Sequence, residues 1–169
     1  DHIKAAADLD VNMVAVTLMY KEGYFKQRMD EEGNQTEVYP RFEPDPLLDK
    51  LDGTISLMLR GREVHVQVWK YTFVGINGTS IDMLLLDTDV EGNHEEDRSI
   101  TLRLYAGGKD HRILQEAVLG FAGIRALRNL GYNDFSTYHM NEGHCSFLTL
   151  ELLKEFNGDE EEVRKRCHF

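Results

Sequence analysis

The chain has 169 residues, 41% of them apolar, and its 30 acidic and 19 basic side chains leave a formal net charge of −11. That length suits a single domain, residues 1–169, with one sizeable core, and the negative field repels nucleic-acid backbones and anionic lipid surfaces, so neither is expected as a partner. The longest apolar run is about ten residues against the ~20 needed to cross a bilayer, and two cysteines, Cys145 and Cys167, are too few for a disulfide framework. With no signal-peptide pattern at Asp1-His2-Ile3-Lys4, a reducing cytoplasm fits.

Ile3-Lys4-Ala5-Ala6-Ala7-Asp8-Leu9 is alanine-rich with Ile3, Ala6 and Ala7 on one side, which predicts a short helix. It starts without room for a first turn and cap, so a natural chain that begins earlier is expected. Residues 11–20 are almost continuously apolar, the pattern of a parallel strand buried on both faces. Residues 21–28 then read as a polar strand-end loop carrying Tyr24 and Phe25, and residues 29–35 have turn composition. Pro40, Pro44 and Pro46 mark an irregular surface connection.

From Thr54 to Asp87 short alternating runs predict antiparallel strands, with turns at Gly61 and at Ile76-Asn77-Gly78-Thr79. This meander is expected as an inserted lobe, about residues 54–90, lying beside the main sheet of an α/β chain. Asp110 opens the strongest helical pattern, with Ile113, Leu114, Ala117, Val118, Phe121 and Ile124 at spacings of three and four and Gly131 as its stop. Gly120 and Gly123 inside it cost about 1 kcal/mol each relative to alanine, so close packing against a neighbour is expected to offset them. Residues 135–140 predict a strand, residues 145–156 a helix, and residues 160–167 a last helix, acidic at its start and basic at its end as the helix dipole favours. His168-Phe169 would begin another strand, so a chain that continues is expected.

The sharpest polar feature is Asn141-Glu142-Gly143-His144 in a predicted strand-to-helix turn, the end of an α/β sheet at which ligands bind. An amide, a carboxylate and an imidazole there can hydrogen-bond sugar hydroxyls; equally, Asn141 can cap the helix and His144 can be a structural histidine. His139, His144 and Cys145 lack the spacing of a metalloprotease helix. The loop Gly23-Tyr24-Phe25-Lys26-Gln27 sits at the predicted end of the first strand and could line the same crevice, its aromatics stacking on sugar or simply packing. Lys4, Arg98 and Arg103 could meet an anion or be solvated surface charge. The acidic runs at residues 94–97 and 159–162 suit solvated loops and helix starts better than a glycosidase pair.

Several stretches in this order resemble the α-glucan phosphorylases, especially their archaeal and bacterial branch: residues 1–9, Tyr24-Phe25-Lys26-Gln27-Arg28, Leu85-Leu86-Asp87-Thr88-Asp89, Leu104-Tyr105 with Gly107-Gly108, Arg112-Ile113-Leu114-Gln115-Glu116, and Tyr138-His139-Met140-Asn141-Glu142-Gly143-His144. The resemblance spans nearly the whole chain, with Asp10, where a glycine is usual, and Ala106 as local departures. It implies the Rossmann-like amino-terminal half of a GT-B glycosyltransferase fold, in an enzyme that cleaves a terminal α-1,4-linked glucose with phosphate to give glucose 1-phosphate. Pyridoxal phosphate would be attached to a lysine outside this segment, and the missing carboxy-terminal half would close the cleft. His144, Asn141 and Glu142 would then line the glucosyl subsite with Tyr24 and Gln27 nearby, and no catalytic residue is expected in this chain. The open half is expected to self-associate through the face that normally meets its partner. The alternatives are a fragment of a glycogen or starch synthase and a stand-alone carbohydrate-binding module.

Overall fold

In the computed structural model, which describes residues 1–44, 47–105 and 107–169, the alternating runs fold as three long strands. Pro46 and Ala106 lie outside the described residues. Helix α1 (His2–Asp8) leads into β1 (Ala15–Leu18), followed by β2 (Lys26–Met29), β3 (Gln35–Val38), β4 (Asp49–Leu59), β5 (Arg62–Val74) and β6 (Ser80–Asp87). The sheet order is β1-β6-β5-β4, antiparallel between β4, β5 and β6 and parallel between β1 and β6, with Ala15 opposite Met83 and Leu18 opposite Leu86. The meander therefore does not lie beside a main sheet within this chain. It supplies three of the four strands itself, and β1 adds to its edge.

The predicted strand at residues 11–20 pairs over only four residues. The cause lies upstream: Asp10 takes a left-handed φ of 59°, and Val11 N–H donates to the Ala6 carbonyl at 3.0 Å, so the residues before Ala15 are spent turning the chain out of α1. That backbone also explains why a glycine is natural at position 10. The predicted loop and turn at residues 21–35 contain a strand the sequence did not signal, because β2 and β3 form an exposed hairpin with no apolar face to set a period.

After α2 (Glu95–Arg98), the predicted long helix forms as α3 (Lys109–Ala117), a π-helical turn (Val118–Ala122) and α4 (Gly123–Asn129). It crosses one face of the sheet, where Leu84 and Leu86 join Val64, Val66 and Val68 in the main core. Side chains alternate along the strand, so Ile81, three residues before Leu84, lies on the opposite face, against Ala6 and Ala7 of α1. Both glycines in the long helix sit where contact is closest. A Cβ on Gly120 would lie 2.6 Å from the Leu148 nitrogen, and one on Gly123 would lie 3.3 Å from a Val16 methyl. Beyond Gly131, β7 (Tyr138–His139), a 3₁₀ turn (Glu142–Cys145), α5 (Leu148–Glu155), α6 (Glu160–Arg166) and β8 (Cys167–His168) complete the chain. The predicted strand at residues 135–140 pairs only at Tyr138 and His139, in parallel with β8. Among the described residues no helix is long and apolar enough to cross a membrane.

Candidate functional site

The polar turn is held at both ends. Met140 N–H donates to the His168 carbonyl at 2.7 Å, and beyond the turn Phe147 and Leu148 press on Gly120 of the long helix. Four residues before Gly120 on the same helix face, Glu116 places Oε1 3.8 Å from Nδ1 of His144, while Nε2 of His144 lies 3.3 Å from Oε2 of Glu142. The imidazole is thus flanked by two carboxylates, with its side chain 41% exposed. Asn141 occupies the cap position of the 3₁₀ turn, but its side chain makes no capping hydrogen bond. The capping role open to it in the sequence is not used, and the amide is free on the surface. Glu142 adopts φ 59°, a conformation that costs a non-glycine residue about 1 kcal/mol or more and that clusters at ligand sites. Asn141, Glu142 and Gly143 are all exposed.

A second constellation gathers where β1 and β6 end. Lys21, 7% exposed, places Nζ 3.0 Å from Asp87 and 2.9 Å from Asp89. Burial opposes its charge, but the hydrogen bonds to both carboxylates prevail and raise its pKa. Burial likewise works against the Asp89 carboxylate, yet Lys21 and Arg98 hold it below the usual range. Asp87 also accepts from the Trp69 indole at 3.3 Å, so this ion network is a satisfied structural joint between strands.

The next residue, Glu22, forms a parallel bridge with Arg103: Glu22 N–H donates to the Leu102 carbonyl at 2.9 Å, and Leu104 N–H donates to the Glu22 carbonyl at 3.0 Å. Two residues further along each segment, Tyr24 and Tyr105 face one another with ring centroids 5.8 Å apart, 70% and 72% exposed. The Tyr105 phenol pushes the Tyr24 pKa up. Tyr20 stands behind them half-buried, its own pKa raised by burial and then by Tyr105. An exposed, tilted aromatic pair of this kind offers an apolar face and hydroxyls to a sugar ring. Gln27 lies on β2, where its side chain hydrogen-bonds Gln35 across the hairpin at 3.3 Å. Among the described residues neither Tyr24 nor Gln27 hydrogen-bonds the turn at residues 141–144.

No family model matches the chain. Among curated proteins it is 39% identical over 160 residues to a maltodextrin phosphorylase of Thermococcus litoralis, an alignment covering 90% of this chain and 18% of that protein. It is 36% identical over 176 residues to a glycogen phosphorylase of Mycobacterium tuberculosis, covering 94% and 19% of the two. A glycogen phosphorylase of Aquifex aeolicus is 35% identical over 182 residues, covering 98% of this chain and 25% of the relative. The chain is homologous to a segment of the glycogen and maltodextrin phosphorylases. It spans about a fifth of the length of the first two of these relatives.

In this segment the sheet, the long helix and the turn form a mixed α/β unit. Tyr105 is the residue that sequence reasoning passed over as a site candidate. The signal was present in Leu104-Tyr105 before two glycines, but only the bridge at Arg103 turns it toward Tyr24. Arg98 and Arg103, raised as anion contacts, are spent on Asp89 and Glu22 at 2.7 and 2.9 Å. Among the described residues no group of three His, Cys, Asp or Glu side chains is arranged to hold a metal ion.

Proposed function

We propose that this chain is a segment of the amino-terminal, Rossmann-like half of a GT-B α-1,4-glucan phosphorylase, contributes glucan-binding surface, and has no phosphorolytic activity alone. The observation that carries the reading is homology over at least 90% of the chain to enzymes named as glycogen and maltodextrin phosphorylases. The surface chemistry supports it. The turn presents Asn141, Glu142 and His144 as hydrogen-bonding groups, and Tyr24 and Tyr105 present aromatic faces, which together suit a neutral polyol. Gln27 stands on the adjoining hairpin as a further polar contact.

Of the candidate anion contacts Lys4, Arg98 and Arg103, both arginines are committed to carboxylates, which supports phosphate recognition by residues outside the segment. A Schiff base needs a neutral amine, and the buried lysine, Lys21, is held charged between two aspartates, which supports attachment of pyridoxal phosphate outside this segment. Exposed apolar residues such as Leu9, Val74 and Ile76 support self-association of the isolated segment.

Titration with maltoheptaose, read by tyrosine ring shifts, tests the reading. Weak saturable binding that shifts Tyr24 and Tyr105 is expected, with no glucose 1-phosphate formed from maltoheptaose, phosphate and pyridoxal phosphate. Turnover by the isolated chain, or no response of either tyrosine, overturns it.

A further inference from the structure

We infer that Glu22 and Arg103 are positioning residues, an ion-paired clamp that sets Tyr24 against Tyr105 and so shapes the proposed sugar-contacting pair. The inference rests on the glucan reading above for its purpose, but its geometry stands on its own.

Tyr24 and Tyr105 sit on separate loops, 81 residues apart in sequence, and both rings are largely in solvent. A lone exposed contact between two rings is too weak to order two loops against their conformational entropy. The order comes from one step earlier in each loop. Glu22 and Arg103 pair both by backbone, through the parallel bridge, and by side chain, with the Glu22 carboxylate accepting from Nε of Arg103 at 2.9 Å and lying 2.7 Å from its NH2. The bridge joins the two loops two residues before Tyr24 and Tyr105, and from that junction the turn at Tyr105 brings the rings together, with centroids 5.8 Å apart. The clamp is fixed from three sides. Lys21, adjacent to Glu22, is locked between Asp87 and Asp89. Gln115 of the long helix donates to the carbonyls of Ile100 and Arg103 at 2.9 and 3.1 Å. The Arg103 guanidinium lies 4.3 Å over the Tyr39 ring, which meets Phe25 edge-on.

The backbone of Tyr105 is the independent sign that this segment is held under load. Its φ of 57° is one a bulky aromatic residue rarely adopts, and such conformations persist only where the surroundings impose them. The constraint next to it is the Leu104 N–H bond to Glu22 together with the Arg103 ion pair.

The test uses the 169-residue chain with ¹³C-labelled tyrosine and the variants Glu22→Gln, Arg103→Met and the double variant. The ring-to-ring NOE between Tyr24 and Tyr105 is the geometric readout, the signal of buried Trp69 reports that the sheet is intact, and maltoheptaose affinity is the functional readout. Each single variant is expected to lose the NOE with Trp69 unchanged and to bind maltoheptaose about fivefold more weakly, as loss of one aromatic contact implies. The double variant should be no worse than either single, because both remove the same pair. An NOE that survives in both single variants overturns the inference, as does a double variant whose loss is the product of the two. Absence of any maltoheptaose response in the unsubstituted chain overturns the glucan reading instead, and the NOE still decides the clamp.

Discussion

Replacing Gly120 with alanine should destabilise the protein, against the usual rule for a helix interior. By propensity the change gains about 1 kcal/mol, since alanine restricts the unfolded chain and is the best helix former. Against that, the new methyl would lie 2.6 Å from both the Leu148 nitrogen and the Phe147 Cβ and 2.7 Å from the Phe147 carbonyl carbon. Two of these atoms are backbone and cannot rotate away, so the overpacking cost falls at the upper end of the usual range, about 3 kcal/mol. The net loss is about 2 kcal/mol, which for a domain of this size lowers Tm by roughly 4–8 °C. Circular dichroism melts of Gly120→Ala beside Gly123→Ala provide the comparison. At Gly123 the nearest atoms are the ends of Val16 and Leu86, at 3.3 and 3.9 Å, which can shift, so its Tm should stay within about 2 °C. A Gly120→Ala protein that melts at or above the unsubstituted Tm would refute the packing argument and, with it, the claim that the long helix seats the polar turn.

Asp97, fully buried, receives Arg62 and Arg60 at 2.7 Å, and its carboxyl is held below the usual range chiefly by the Arg62 hydrogen bond, against burial. A carboxylate with a lowered folded pKa stabilises fully above the unfolded value of about 3.9 and loses that contribution as pH falls through the lowered one. Asp97→Asn should therefore cost about 2 kcal/mol at pH 7, a modest figure because both arginines are partly exposed, and the gap in urea midpoints should close below about pH 4. A gap that is constant down to acid pH contradicts this. Lys21→Met should cost about 3 kcal/mol by leaving buried Asp87 without its cation, Asp89 keeping Arg98, with partial recovery in Lys21→Met/Asp87→Asn; urea denaturation that shows no recovery rules out the charge argument. Burial pushes the Cys145 and Cys167 thiols up, so Ellman titration of the folded chain at pH 8 should run about tenfold slower than in denaturant, and equal rates would contradict their burial.

Much of the fold is legible in the residues themselves. Val64, Val66 and Val68 alternate as a half-buried strand must, and the apolar stripe from Leu114 to Ile124 has the helical spacing of a core-facing helix, whereas Ile113, expected on the same stripe, is exposed. The helix stop at Gly131 and the acidic start of the last helix follow from local backbone and dipole chemistry. The β2–β3 hairpin was not legible, because strands exposed on both faces carry no hydrophobic period. Nor was the edge position of β1, since an apolar run signals burial without saying which strand lies alongside.

The sequence by itself determined the family likeness and the polar character of Asn141-Glu142-Gly143-His144, because motif order and side-chain chemistry are properties of the chain alone. Tertiary structure decided what those groups face. Glu116 meets His144 because Gly120 lets the turn settle on the long helix, and Tyr24 meets Tyr105 because a bridge between residues 81 apart fixes their register. Each depends on a contact between segments distant in sequence, and no local pattern encodes the distance that such a contact must close.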